Sequence, residues 1–238
     1  MITLRQHIEL SRSAKDDSMS QDYWMSLPPK EKIEFMRGID SVYPLKDTKE
    51  ITPYIKDNFK YYDNVFDMVL GQFIMVEQIL TGKFDFRDEF DMDVELAAYL
   101  LRPKDEIEFD NEDPLKEQQI RKKIMDSPVQ DFYSAINKFL LDRERVLFHQ
   151  FSGVFYETPD EEEEAGEEVD TSDYNETVFN QQWYWYSIVR TLAQEDITRF
   201  ADIYMLKMNV VLPEMSYIAQ KNKIDSANQR AAAAMNRL

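Results

Sequence analysis

The sequence predicts a mainly α-helical protein, a multi-helix bundle with at most a few short strands in the N-terminal third, at about residues 50–70. Three observations carry this expectation. Only 5 glycines occur in 238 residues, so few turns can use positive φ, which argues against a barrel or sandwich of many tight hairpins. Apolar residues recur at three- and four-residue intervals over most of the chain. Prolines and glycines fall at the edges of those periodic stretches rather than inside them.

The elements follow in order. Leu4, Ile8 and Leu10 give Leu4 to Arg12 a loosely helical spacing. A clearer helix starts at Pro28-Pro29, because a first-turn proline loses no hydrogen bond; Ile33, Phe35, Met36 and Ile39 form its stripe and Gly38 its stop. Between Ile51 and Leu70 the period weakens, and Tyr54, Phe59, Tyr61, Tyr62 and Phe66 are strand-favouring types, so one or two short strands are expected there. Phe73, Val76, Glu77 and Leu80 support a short helix ending at Gly82. A further helix is expected from Asp88 to Leu101, stopped by Pro103. An acidic loop, Asp105 to Asp113, precedes Pro114 and a helix over Leu115–Met125. The longest regular pattern follows Pro128, with Phe132, Ala135, Ile136, Phe139, Leu140, Arg143, Val146 and Leu147 in register and Ser127 as its expected N-cap.

Thr158 to Tyr174 has few apolar residues and carries Glu161-Glu162-Glu163-Glu164, so a mobile linker is expected. The chain thus divides into an N-terminal helical domain with a minor β element (1–156), an acidic loop (157–175) and a C-terminal helical segment (176–238) that packs back on the first. In that last segment Phe179, Trp183, Tyr186, Val189 or Arg190, and Ala193 keep helical spacing. Asp196 is the expected cap of a helix bearing Ile197, Phe200, Ile203 and Tyr204. Asn209 is the expected cap of another, with Pro213 in its first turn and Val211, Met215, Ile218 and Ala219 as its stripe. Its end, Ala231-Ala232-Ala233-Ala234, buries little and should fray unless a partner covers it.

Composition narrows the function classes. The hydrophobic share of 43% is enough for a real core. No run approaches the roughly 20 apolar residues of a membrane span; Val65 to Leu80 is broken by Asp67, Gln72, Glu77 and Gln78. The first residues, Met1-Ile2-Thr3-Leu4-Arg5-Gln6-His7, lack a signal peptide's apolar core. With no cysteine, disulfides, thiolate nucleophiles and cysteine-ligated metals are all excluded, and a cytoplasmic location is expected. The net charge is −18, and Glu157 to Glu176 hold eleven acids and no base, leaving −7 elsewhere. That balance repels phosphate backbones, so nucleic-acid binding is disfavoured and a basic or aggregation-prone protein partner fits better. Solubility alone would also account for the charge.

Catalytic chemistry finds no foothold, and no catalytic residue, cofactor or metal ligand is assigned. The two histidines, His7 and His149, are far apart and lie in no metal-binding spacing, so packing or surface roles are expected for both. The acids from Asp85 to Glu95 fail a calcium-loop template begun at Asp91, because Leu96 stands where glycine is needed and Arg102 where a bidentate glutamate is needed. A helix N-terminus explains these acids better. No Gly-x-Ser-x-Gly and no phosphate-binding loop occurs; Gly71 and Gly82 are isolated.

The cluster Trp183-Tyr184-Trp185-Tyr186 is the strongest local signal. On a helix Trp183 and Tyr186 share a face while Tyr184 and Trp185 point elsewhere. Either two faces are buried, as ordinary core, or some rings remain for a partner, where Trp and Tyr concentrate binding energy. The residues assigned to partner contact are Trp183, Trp185, Tyr186, Phe200, Tyr204, Met208 and Met215, the methionines offering adaptable contacts or plain core filler.

The string Trp183 to Ala193, then Glu195-Asp196-Ile197, Phe200, Ile203-Tyr204 and Met208, resembles a pattern in phage tail-module proteins. Gly71-Gln72-Phe73-Ile74, the helix Asp131 to Phe148, and Phe151-Ser152-Gly153-Val154-Phe155 are in keeping with it. The nearest group is the tail assembly chaperones of long-tailed phages. The resemblance covers residues 65 to 225; this chain is longer than usual for the group, and its first 60 residues have no counterpart. It implies a non-enzymatic virion-morphogenesis protein in the host cytoplasm, holding a tape-measure or other tail protein soluble through protein–protein contact, with homo-oligomerisation open and no nucleic acid, membrane or cofactor involved. The competing readings are an acidic regulator or DNA mimic that occupies a basic surface, another phage virion structural protein, and an enzyme with a fold-assembled carboxylate site.

Overall fold

Short amphipathic helices closed by identifiable caps make up most of this protein, as a computed structural model shows for residues 3–15, 53–106, 109–110, 112–155 and 183–235. The chain is mainly α, and the one sheet among the described residues is a two-stranded antiparallel pair. The expected helix after Pro28-Pro29, the acidic linker Thr158–Tyr174 with the domain boundaries drawn from it, and Phe179 lie outside the described residues.

Packing divides the chain into two units: Met1–Asn64 with Met75–Asp142, and Val65–Ile74 with Arg143–Leu238. In the first unit, α1 (Leu4–Lys15) runs one turn further than the spacing predicts, with Leu4 and Ile8 buried. Its start is tied to a distant part of the chain, where the Leu4 N–H donates to the Ser127 carbonyl at 2.8 Å. His7 on the same face is buried between Phe90 and Tyr133, meeting both rings edge-on. Burial holds its imidazole below its ordinary value, consistent with the packing role expected for it.

The aromatic stretch after Ile51 holds one short strand, as expected, beside a short helix and a 3₁₀ turn. Pro53–Asn58 forms α2, and only Lys60–Tyr61 (β1) is extended. Tyr54 is therefore helical, and Phe66 falls in a 3₁₀ turn, Val65–Asp67. Strand propensity here reflects a half-buried surface, which a short helix satisfies equally well. The partner of β1 is β2, Leu101–Arg102, paired Lys60 with Arg102 and Tyr61 with Leu101. This partner lies beyond the window in which strands were expected.

Helix α3 spans Leu70–Leu80 and ends at Gly82, which has φ +70. The Lys83 N–H reaches the Gln78 carbonyl and the Gly82 N–H reaches Ile79, the paired bonds of a Schellman ending. Helix α4 is Glu89–Leu100, capped by Asp88, whose carboxylate accepts from the Asp91 N–H at 3.0 Å. Arg12 grips the same carboxylate in bidentate fashion and also reaches Asp91. The Arg12 hydrogen bonds hold the Asp88 carboxyl down to about 2. The acids once compared with a calcium loop are thus a helix cap clamped by arginine. The helix stops at Leu100 because β2 takes the next residue, before Pro103 can act.

Helix α5 (Pro114–Met125) carries proline in its first turn and Asp113 as its cap. Helix α6 is Val129–Glu144. Ser127 does not cap it. Its hydroxyl donates backward to the Lys123 carbonyl at 3.2 Å, which closes α5 instead. The α6 period continues into a π-helical turn, Arg145–Gln150, with Val146 and Leu147 buried, and then α7, Ser152–Phe155.

The second unit is completed by α8 (183–192), a 3₁₀ turn Ile197–Arg199, α9 (Phe200–Tyr204) and α10 (Met208–Met235). Asp196 caps the 3₁₀ turn as expected, its carboxylate accepting from the Thr198 N–H at 3.0 Å. Asn209 does not cap α10, because the helix begins at Met208 and Val210 and Val211 both donate to the Lys207 carbonyl. Pro213 therefore lies beyond the first turn. A tertiary constraint sets this start: Val69 and Lys207 form a bridge, flanked by Leu70 N–H to Leu206 and Met208 N–H to Met68. Gly71 permits the close approach, since a Cβ there would lie 3.3 Å from the Tyr204 carbonyl oxygen. At 28 residues α10, not α6, is the longest helix among the described residues.

Candidate protein-docking surface

The aromatic cluster sits on α8, and α8 sorts its four rings by face. Trp185 points inward, half-buried, and meets Phe73 edge-on at 5.5 Å. Tyr184 packs against Trp185 at 5.3 Å, and its hydroxyl donates to the Val154 carbonyl at 3.3 Å. Val189 and Ala193 complete the buried side. Trp183 and Tyr186 face outward, each 41% exposed, with their rings 5.5 Å apart. The Tyr186 ring then meets Phe200 of α9 at 5.8 Å. A short ladder of edge-on rings, Trp183–Tyr186–Phe200, therefore crosses from α8 to α9, and such rings expose apolar area with few torsions left to freeze.

Tyr204, beside this ladder, is half-buried, and burial together with neighbouring Tyr186 raises its phenol above the ordinary value. Met208 is fully buried and Met215 nearly so. These two methionines are core residues of the second unit rather than part of the exposed face; they sit at the start of α10, where the bridge to Val69 pins it. Of the seven residues assigned to partner contact, Trp183 and Tyr186 are the exposed ones, Phe200 and Tyr204 neighbour Tyr186, Trp185 faces Phe73, and Met208 and Met215 are buried.

Beside the ladder lies a mostly apolar cleft of about 220 Å³. Its walls are Tyr184, Ile188 and Leu192 of α8 and Met215, Ile218 and Ala219 of α10, with Val154 at one end. Ser187, Thr191 and Asn222 add a polar rim. Two helices seldom meet along their whole length without a gap where side chains shorten, and Ala219 opposite Ile188 and Leu192 is such a place. The volume is below the roughly 300–1,000 Å³ typical of a small-molecule site. It suits one or two anchoring side chains.

Sequence reasoning missed this cleft. Its signal was present as two stripes, Tyr184–Ile188–Leu192 and Met215–Ile218–Asn222, but nothing in either stripe says that it faces the other. A second missed feature belongs to the first unit, around the start of the expected acidic loop. Arg102 is fully buried and donates two hydrogen bonds to Glu106, one to Glu117 and others to the Ala98 and Asp110 carbonyls. Its guanidinium also lies over the Phe109 ring. Burial pushes the Glu106 carboxyl up, but the bonds from Arg102 and Lys116 outweigh it and hold the group below its ordinary value. Arg102 pairs with both Glu106 and Glu117, Lys116 with Glu106, and Arg121 approaches the second Glu117 oxygen at 3.8 Å, so the cluster reads as a buried structural ion network. His149 is exposed. Among the described residues no group of three or more His, Asp or Glu is placed to hold a metal ion, and no helix is long and apolar enough to cross a membrane.

Protein-family models, curated proteins and solved structures contain no match to this chain.

Proposed function

We propose that this chain is a non-enzymatic phage-morphogenesis protein, a tail assembly chaperone that shields an apolar helix of the tape-measure protein. The observation that carries the reading is the apolar α8–α10 cleft beside the outward pair Trp183 and Tyr186. A groove that accepts one or two anchor side chains, next to rigid aromatic rings, matches the way grooves take up amphipathic helices. The net charge of −18 keeps such a complex dispersed and draws in a basic client. The resemblance of the Trp183–Met208 string to tail-module proteins points the same way. Asp88, Asp91, Glu95 and Glu106 are each held by an arginine of their own unit, which leaves them little to offer a basic groove and weighs against a DNA mimic.

Co-expression with the tape-measure client tests the reading. The client's soluble fraction should rise with this chain present, and Trp183→Ala with Tyr186→Ala should lose that effect. Truncating a central aromatic anchor costs about 2 kcal/mol, roughly thirtyfold in Kd. Equal client solubility with and without the chain would refute the assignment.

A further inference from the structure

The α8–α10 cleft is built more narrowly than a general apolar groove. Its α8 wall is Tyr184, Ile188 and Leu192, spaced four apart on one face, and Ala219 of α10 leaves room opposite them. The Tyr184 wall is fixed, since its hydroxyl is held by the Val154 carbonyl at 3.3 Å and its ring meets Trp185 edge-on. Met215, buried beside it, is a polarisable neighbour for a ring. No residue lining the cleft is charged. Its polar side chains are Ser187 and Thr191, one turn apart on α8, and Asn222 of α10, all three exposed. Thr81 and Ser127 each spend a hydroxyl on the carbonyl four residues back. Ser187 and Thr191 do not: among the described residues neither they nor Asn222 has a side-chain hydrogen-bond partner. The rim of the cleft therefore carries unengaged acceptor oxygens.

Size and rim together select the occupant. A cavity of about 150 Å³ with apolar walls holds benzene, a six-atom ring. At the same density about 220 Å³ holds nine ring atoms, which is an indole. A phenyl ring would leave roughly a third of the space empty, and its walls would lose those contacts. Two aliphatic side chains would fill the space but cover the rim oxygens without offering any of them a donor. The indole N–H supplies one, and a cleft without charged walls has nothing to pair with an ammonium or carboxylate anchor. We propose that the cleft takes the indole ring of a tryptophan on the client helix, with the ring N–H donating to an oxygen of the rim. The source of the ring rests on the chaperone reading; the cleft's choice of ring does not.

Fluorescence anisotropy with a dye-labelled, basic amphipathic host peptide tests the proposal on the full chain. The probes are four peptides identical except at one anchor position, which carries tryptophan, 1-methyltryptophan, phenylalanine or leucine. All four have the same charge, so general attraction to the acidic chain cancels from the comparison. The tryptophan peptide should bind about tenfold tighter than the leucine peptide, with phenylalanine between them. Methylating the indole nitrogen should cost several-fold, because it removes the donor. Ala219→Leu fills the cleft and should erase the preference for tryptophan at unchanged helical circular dichroism. If that variant loses its helicity, Ser187→Ala with Asn222→Ala decides, since both residues are exposed: it should remove the difference between tryptophan and 1-methyltryptophan. No measurable binding of any peptide, equal binding of the tryptophan and leucine peptides, or a preference that survives Ala219→Leu would each overturn the proposal. A chain that selects tryptophan yet leaves client solubility unchanged refutes the chaperone reading alone. A chain that keeps its client soluble while treating the four peptides alike refutes the indole site alone.

Discussion

Two helices of this chain end in the same backbone motif with different residues at its left-handed position. After α3 the position is Gly82, φ +70; after α8 it is Gln194, φ 56, followed by Glu195 at φ 65. In the second case the Glu195 N–H reaches the Arg190 carbonyl and the Gln194 N–H reaches Thr191, the same pair of bonds as at Gly82. The apolar contact that often closes this motif is replaced by an ion pair between Arg190 and Glu195. Left-handed backbone costs a residue with a Cβ about 1–2 kcal/mol, and glycine's greater freedom when unfolded returns part of that. Gln194→Gly should therefore stabilise the protein by about 0.5–1 kcal/mol. Gly82→Ala should destabilise it by about 1 kcal/mol, through φ alone, since an added Cβ would meet nothing within 4 Å. Urea midpoints of the two variants, at an unchanged m-value, check both signs. A stabilising Gly82→Ala would show that the motif is not strained there.

At the scale of elements, the β1–β2 pair, the C-terminal end of α4 and the start of α5 are joined through Arg102. Arg102→Ala would leave Glu106 with Lys116 alone and Glu117 with the more distant Arg121 alone, at 3.8 Å, with a loss of about 3 kcal/mol. Replacing all three together, Arg102→Met with Glu106→Leu and Glu117→Leu, should cost less than the single change, because a buried ion network is little better than well-packed apolar groups. Urea denaturation of the four proteins separates these outcomes; a triple variant weaker than Arg102→Ala would mean that the network adds stability of its own. None of this was legible in the sequence, where Arg102 ends an apolar run and Glu106 opens an acidic one. The local features were legible: α3 with its Gly82 stop, the acid-rich start of α4 near Asp88, α5 opening at Pro114, and the Asp196 cap. Each depends on residues within one turn of one another. The misreadings share the opposite property. Ser127 and Asn209 were misjudged as caps because their conformations are set by distant partners, the chain around Leu4 and the Met68–Val69 bridge, and β2 was missed because only β1 makes it a strand. The candidate surface divides in the same way. Trp183 and Tyr186 were visible as residues, whereas the cleft beside them needed two helices brought together by the fold.

Over the whole molecule, charge governs the proposed capture of a client. The chain carries a net −18. The Debye length falls from about 10 Å at 0.1 M to about 3 Å at 1 M, so added salt removes attraction between opposite charges while leaving apolar contacts intact. Capture of a basic client should therefore weaken several-fold between dilute and molar sodium chloride. The eleven acids from Glu157 to Glu176 supply more than half of the net charge. Replacing Glu161, Glu162, Glu163 and Glu164 with glutamine should act like added salt and slow client capture at low ionic strength. Client association rates of the wild-type and glutamine chains at two salt concentrations measure both effects. If capture instead tightened as salt rose, the client would be held by the apolar cleft and the rings of Trp183 and Tyr186 alone, and charge would have no part in drawing it in.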